Sequence, residues 1–169
     1  MGLRNHKIKN VFLTNYTVQY KGTQDHVSYN EVPLKEFSYP MAIMFEKVPA
    51  YGLYCRNAEN LHLENITMSS TEKKDRPAIT LDRVTDSELL SIKAEIIRST
   101  VPMFHFRNSE NILTNSCRFI GINKNLFEVE YRTCKNLTFS NNDLKTNQKE
   151  INRTESIPEK VFSMISQLT

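Results

Sequence analysis

The sequence predicts an all-β fold, a β-solenoid of parallel stacked coils of about 25 residues with a short C-terminal capping helix. Three observations predict it. Similar phrases recur at Glu59-Asn60-Leu61-His62-Leu63-Glu64-Asn65, Thr85-Asp86-Ser87-Glu88-Leu89-Leu90-Ser91, Glu110-Asn111-Ile112-Leu113-Thr114-Asn115-Ser116 and Lys135-Asn136-Leu137-Thr138-Phe139-Ser140-Asn141, so that positions 60, 86, 111 and 136 follow each other at steps of 26, 25 and 25. Each phrase follows a stretch of strict apolar–polar alternation, the pattern of half-buried strands: Leu53-Tyr54-Cys55-Arg56, Ile79-Thr80-Leu81-Asp82, Phe104-His105-Phe106-Arg107 and Val129-Glu130-Tyr131-Arg132. Asparagine occurs 17 times against only 4 glycines, and much of it falls on the repeated turn positions. Leucine-rich repeats share this period but need spaced leucines and a helix per repeat, which are missing.

The elements follow in chain order. A first coil is expected over 8–21, opened by Lys9-Asn10-Val11-Phe12-Leu13-Thr14-Asn15. Residues 22–49 read as a long loop, because Pro33, Pro40 and Pro49 interrupt any strand and alternation is lost. That loop spans about one period, so a hidden coil is the alternative. It carries Asp25, His26, Tyr29, Glu31, Glu36, Tyr39 and Glu46. Residues 50–149 hold the repeated coils. Over 150–169, Ser156-Ile157-Pro158-Glu159 has the spacing of a capping box, and Val161, Phe162, Met164, Ile165 and Leu168 give one apolar face, so a helix closing the last coil is expected. No comparable cap precedes Ile8. An uncapped first coil exposes strand edges, and self-association through it is expected.

Stacking the repeats assigns inward columns. Leu53, Ile79, Phe104 and Val129 form one, and Cys55, Leu81, Phe106 and Tyr131 the next. Ala58, Val84, Ser109 and Cys134 share a smaller slot, and Leu63, Leu89, Thr114 and Phe139 follow the turn. Ile66, Ile92, Cys117 and Asn142, then Met68, Ala94, Phe119 and Leu144, complete the set. The three cysteines lie on these apolar columns, which favours inert buried thiols over nucleophiles, and their odd number and lack of C-x-x-C spacing argue against a zinc site or a disulfide framework. Asn10, Asn60, Asp86, Asn111 and Asn136 form one turn column, and Asn15, Asn65, Ser91, Ser116 and Asn141 another. Asparagine tolerates the left-handed region, and its amide bonds along a stack, so both read as amide ladders. Asn15, Asn65, Asn136 and Asn152 also begin glycosylation sequons. The ladder is the preferred reading, since a glycan inside it breaks the stack.

Composition sets further bounds. The net charge of +3 includes no Lys/Arg block, so nucleic-acid binding gains no support. No apolar run has the length of a membrane-spanning helix, and Met1-Gly2-Leu3-Arg4-Asn5-His6-Lys7 lacks the apolar core of a secretory signal. Glycine-rich phosphate loops are absent, and His6, His26, His62 and His105 lack metal-ligand spacing; no cofactor and no metal are expected. Outward residues Arg56, Asp82, Arg107 and Arg132 form a charged column in which Asp82 stands between Arg56 and Arg107. The structural reading is an ion-pair ladder. The functional one has Arg107 and Arg132, with Arg56, Tyr54 and His105 on the same face, binding an acidic polysaccharide, because guanidinium groups suit carboxylates and aromatic faces support sugar rings.

The segment Pro49-Ala50-Tyr51-Gly52-Leu53-Tyr54-Cys55-Arg56-Asn57-Ala58-Glu59-Asn60-Leu61, followed by Arg76-Pro77-Ala78-Ile79-Thr80-Leu81-Asp82, resembles the C-terminal coils of bacterial glycoside hydrolase family 28, the polygalacturonase-like proteins. Glu31-Val32-Pro33 and Tyr39-Pro40 resemble a linking loop of that group, and the likeness spans about 8–145. It implies a right-handed parallel β-helix, pectin-type polysaccharide as substrate and an extracytoplasmic parent protein. The family's Asn-Thr-Asp, Asp-Asp, Gly-His-Gly and Arg-Ile-Lys runs are absent, so no catalytic residue is carried over. The expectation is a C-terminal portion of such a hydrolase, inactive alone, with a stand-alone carbohydrate-binding or structural assembly module as the alternative.

Overall fold

The computed structural model describes residues 1–21, 32–33, 35, 37–38, 45, 47–71, 76–99, 101–123, 125–130, 133–143, 149–153 and 162–165. These form an all-β molecule of parallel sheets. Its strands are β1 (Ile8–Thr14), β2 (Thr17–Tyr20), β3 (Leu53–Glu64), β4 (Thr67–Ser70), β5 (Ile79–Leu90), β6 (Lys93–Ser99), β7 (Phe104–Arg107), β8 (Glu110–Asn115), β9 (Arg118–Asn123), β10 (Asn125–Val129), β11 (Lys135–Ser140), β12 (Lys149–Arg153) and β13 (Phe162–Ile165).

They line up in three rows. Row A holds the first half of β3, the first half of β5, then β7, β10 and β12. Row B holds β1, the second halves of β3 and β5, then β8, β11 and β13. Row C holds β2, β4, β6 and β9 as a separate four-stranded sheet. Rows A and B form one nine-stranded sheet because β3 and β5 run through both, bending at Asn57 and Arg83, where φ is 53° and 57°.

The bends explain the asparagines. Of the fourteen described non-glycine residues with positive φ, nine are asparagine, and all but Lys35 fall in three ladders between or within the rows. Asn57, Arg83 and Asn108 separate rows A and B. Asn10, Asn60, Asp86, Asn111 and Asn136 bend row B, and Asn15, Asn65, Ser91, Ser116 and Asn141 turn it towards row C. Asn60 Nδ2 donates to Asn10 Oδ1 (2.8 Å), Asn136 Nδ2 to Asn111 Oδ1 (2.9 Å) and Asn65 Nδ2 to Asn15 Oδ1 (2.7 Å). Asparagine thus does the work of glycine here and adds a bond between levels.

The core lies between the rows. Leu61, Leu63, Met68, Ile79, Leu81, Leu89, Phe104, Phe106 and Phe119 are fully enclosed. Phe104, Phe119, Phe127 and Phe139 pack edge-on or tilted at centroid separations of 4.5–6.0 Å.

Two expectations need correction. Strand β10 of row A lies two residues out of the expected register, because Phe127 pairs with Phe104 and Val129 with Phe106. Phe127 therefore occupies the inward slot expected for Val129, and Val129 the slot expected for Tyr131. Thr133 N donates to Glu130 O (3.1 Å), and β8 and β11 pair in the expected register. The second concerns the C-terminus. Phe162–Ile165 form strand β13, parallel to β11, where the sequence predicts a capping helix; Ser156 to Glu159 lie outside the described residues. An apolar run this short fits either period, and the open edge of β11 supplies hydrogen-bond partners that a helix would leave unused. Among the described residues of 22–49 no strand occurs.

Candidate functional site

The outward face of row A carries most of the chemistry-bearing residues, and it is covered. Two backbone carbonyls lie against it: Arg56 Nη1 donates to Val32 O (2.9 Å) and Thr80 Oγ1 to Pro49 O (2.7 Å). Outward residues Thr80, Asp82 and His105 are consequently buried, Asp82 and His105 at 1% exposure each.

Asp82 is the centre. Arg56 Nε lies 3.2 Å from Oδ2, Arg83 Nη1 2.9 Å from Oδ2, and Arg107 Nε 3.7 Å from Oδ1. Asn108 Nδ2 donates to Oδ1 at 2.9 Å. The parallel register builds this set, placing Arg56 and Arg107 on either side of Asp82, one level away each. The ladder expected for Arg56, Asp82 and Arg107 is therefore present, but buried where an exposed one was expected. Arg83 and Asn108 join it because their positive φ turns them back beside the preceding strand residue. Sequence reasoning missed both; the ladder they share with Asn57 was the available signal.

A second carboxylate adjoins this cluster. Glu130 Oε2 lies 3.5 Å from Arg107 Nε, and Oε1 3.4 Å from His105 Nε2. The His105 ring is the main cause that holds the Glu130 carboxyl below its ordinary range, with Arg107 adding to it against the opposing effect of burial. Glu130 takes the place expected for Arg132 beside Arg107, a consequence of the two-residue register difference; Arg132 itself lies outside the described residues. Tyr54 stands on the same face, its hydroxyl buried and without a hydrogen-bond partner among the described residues, and burial pushes its pKa up to about 12. The structure thus brings together Tyr54, Arg56, His105 and Arg107, but Arg107 is engaged by two carboxylates and the face is roofed by backbone.

The cysteines fit their apolar columns. Cys117 and Cys134 are buried and Cys55 half-buried, all as free thiols. Burial raises them to about 11 for Cys55 and Cys134 and about 12 for Cys117, far from the thiolate that nucleophilic chemistry requires. Asp25, His26, Tyr29, Glu31, Glu36, Tyr39 and Glu46 lie outside the described residues. Among the described residues no group of three His, Cys, Asp or Glu side chains is arranged to hold a metal ion, and no helix is long and apolar enough to cross a membrane.

The open face is that of row B. There the second ladder borders a groove, and beside it run Phe12, His62, Glu88, Leu113 and Thr138 in register. His62 sits between two carboxylates, Nδ1 3.2 Å from Glu88 Oε2 and Nε2 3.2 Å from Glu64 Oε2, with the Phe12 ring 5.8 Å away. Compared with known proteins, the chain matches no family model, no curated sequence and no solved structure.

Proposed function

We propose that the chain is a right-handed parallel β-helix and the C-terminal portion of a polygalacturonase-like glycoside hydrolase acting on pectin-type polysaccharide, supplying scaffold rather than catalytic carboxylates. The observation that carries this reading is the buried Asp82 cluster within a three-row parallel stack. Inverting glycoside hydrolysis needs an acid and a base about 6.5–9.5 Å apart with water between them. Asp82 is closed off by three arginines and Asn108, and Glu130 is held by Arg107 and His105, so both serve the fold. The stacking of each level on the one about 25 residues earlier supports the β-helix, and parallel strands joined by crossovers are almost always right-handed.

The test is a reducing-sugar assay on polygalacturonate. The chain alone is expected to release nothing above blank, and release to appear when the catalytic coils of a polygalacturonase-like chain are supplied. Release by the chain alone overturns the scaffold role; silence with the catalytic coils present overturns the hydrolase reading. A second reading, a structural assembly module, is favoured by the outer edges of β1 and β2, which among the described residues pair only with β3 and β4.

A further inference from the structure

The second ladder has one interruption. Asn60, Asn111 and Asn136 each donate Nδ2 to the residue one level before. Asp86 accepts from Asn111 (2.7 Å), but an ionised carboxylate has no hydrogen to pass on. Asn60 spends its Nδ2 on Asn10, and its Oδ1 receives no donor among the described residues. At this step two acceptors therefore face each other across about 4.8 Å, where the rest of the ladder alternates donor and acceptor.

The break opens into a groove of about 440 Å³ lined by Asn60, Asp86, Glu88, Asn111, Leu113 and Asn136 among others. It crosses four levels, roughly 14 Å at the strand spacing, along the stacking axis. Its polar side is rich in acceptors and carries the negative charge of Asp86 and Glu88. Its other side offers Leu113, and beyond Glu88 the Phe12 ring, 63% exposed, stacks on His62. An elongated ligand matched to this surface supplies hydrogen-bond donors, carries no negative charge and has apolar ring faces. Asparagine at 86 would complete the ladder, and positions that break a local rule concentrate at functional sites.

We propose that this groove binds the uncharged stretches of a pectin-type polysaccharide, its hydroxyls donating to Asp86 and to Asn60 Oδ1. The proposal rests on the reading of the chain as part of a pectin-acting hydrolase, and it moves sugar recognition from the roofed row A face to the open row B face.

The experiment is an amide NMR titration of the whole chain with two probes of equal length, a neutral galactan hexasaccharide and hexagalacturonate. The neutral probe is expected to shift the side-chain amides of Asn60, Asn111 and Asn136, with hexagalacturonate at least about tenfold weaker there. Asp86→Asn is expected to lose about tenfold or more in affinity for the neutral probe, the scale of a charge-assisted hydrogen bond. Its thermal midpoint should hold or rise, since the ladder is then continuous, which separates loss of the site from loss of the fold. Phe12→Ala is expected to weaken the neutral probe about threefold. No shifts with the neutral probe, or undiminished affinity in Asp86→Asn, overturns the proposal. Sugar release with catalytic coils reads the hydrolase assignment independently: release with a silent groove sinks the groove alone, and a binding groove without release sinks the hydrolase assignment alone.

Discussion

Asp82 is the most deeply buried carboxylate among the described residues. A carboxylate this deeply buried is tolerated because Arg56, Arg83, Arg107 and Asn108 surround it. Removing it leaves Arg56 and Arg107 facing each other beneath the covering segment. Asp82→Ala is therefore expected to cost about 3–5 kcal/mol, lowering the thermal midpoint by roughly 6–20 °C for a chain of this size. A drop of a degree or two in a melting experiment would show that the cluster is hydrated and weak. Glu130 gives the pH dependence. Its folded pKa lies below the ordinary 4.5, so its contribution is full above that value and lost as pH falls through the folded one. The midpoint of the native protein should fall on acidification below about pH 4.5 more steeply than that of Glu130→Gln; parallel curves would refute the assignment. At this scale the sequence was partly legible. Alternation placed Arg56, Asp82 and Arg107 on one face, but which outward face is covered depends on where the Val32 and Pro49 carbonyls fall, and no local period encodes that.

The ladders are what hold the elements in register. Each left-handed residue lets the chain turn without glycine, and each amide bond ties that turn to the next level. The two contributions separate at Asn65, whose φ is 51°. Asn65→Gly keeps the conformation and loses the bond to Asn15, about 0.5–1.5 kcal/mol. Asn65→Ala also meets the left-handed penalty of about 1–2 kcal/mol. Chemical denaturation should rank native above Gly above Ala; Gly and Ala costing the same would remove the conformational part. The repeating asparagines were readable because a turn of this kind admits few residues. The position of β10 was not. Phe127, Val129 and Tyr131 alternate, so a slip of two residues keeps every inward side chain inward. What decides the register is size: Phe127 fills the space beside Phe104 and Phe119, at 6.0 and 5.2 Å between centroids. The strand at Phe162–Ile165 was misread for a related reason, since a short apolar run takes its form from the edge it meets.

At the scale of the whole molecule the two ends of the stack differ. Beyond β10 and β11 the described chain adds β12 and β13, which extend rows A and B by one strand each. At the front, Gly2 N donates to Arg56 O (2.8 Å) and Asn57 Nδ2 to Gly2 O (2.8 Å), so the first residues cover the start of row A. A Cβ on Gly2 would stand 2.3 Å from Asn57 O, and only glycine fits that close approach. Among the described residues rows B and C have no such cover. Among those residues β1 pairs only with β3 and β2 only with β4, so no described strand covers their outer edges. The ladders sharpen this polarity. Asn10 and Asn15 accept amide bonds from the level behind and donate to no described residue, so the front presents unused amide donors beside Ile8, 42% exposed, and Phe12. An edge with free strand groups, apolar side chains and one-sided amides attracts a second copy. The mass measured by light scattering is expected to rise with protein concentration, and the double variant Ile8→Lys and Phe12→Lys to return it to a monomer, because lysines on an edge oppose pairing. A monomeric native protein across the full concentration range would mean that side chains alone suffice to protect this edge. Association that survives both lysines would place the interface elsewhere on the stack.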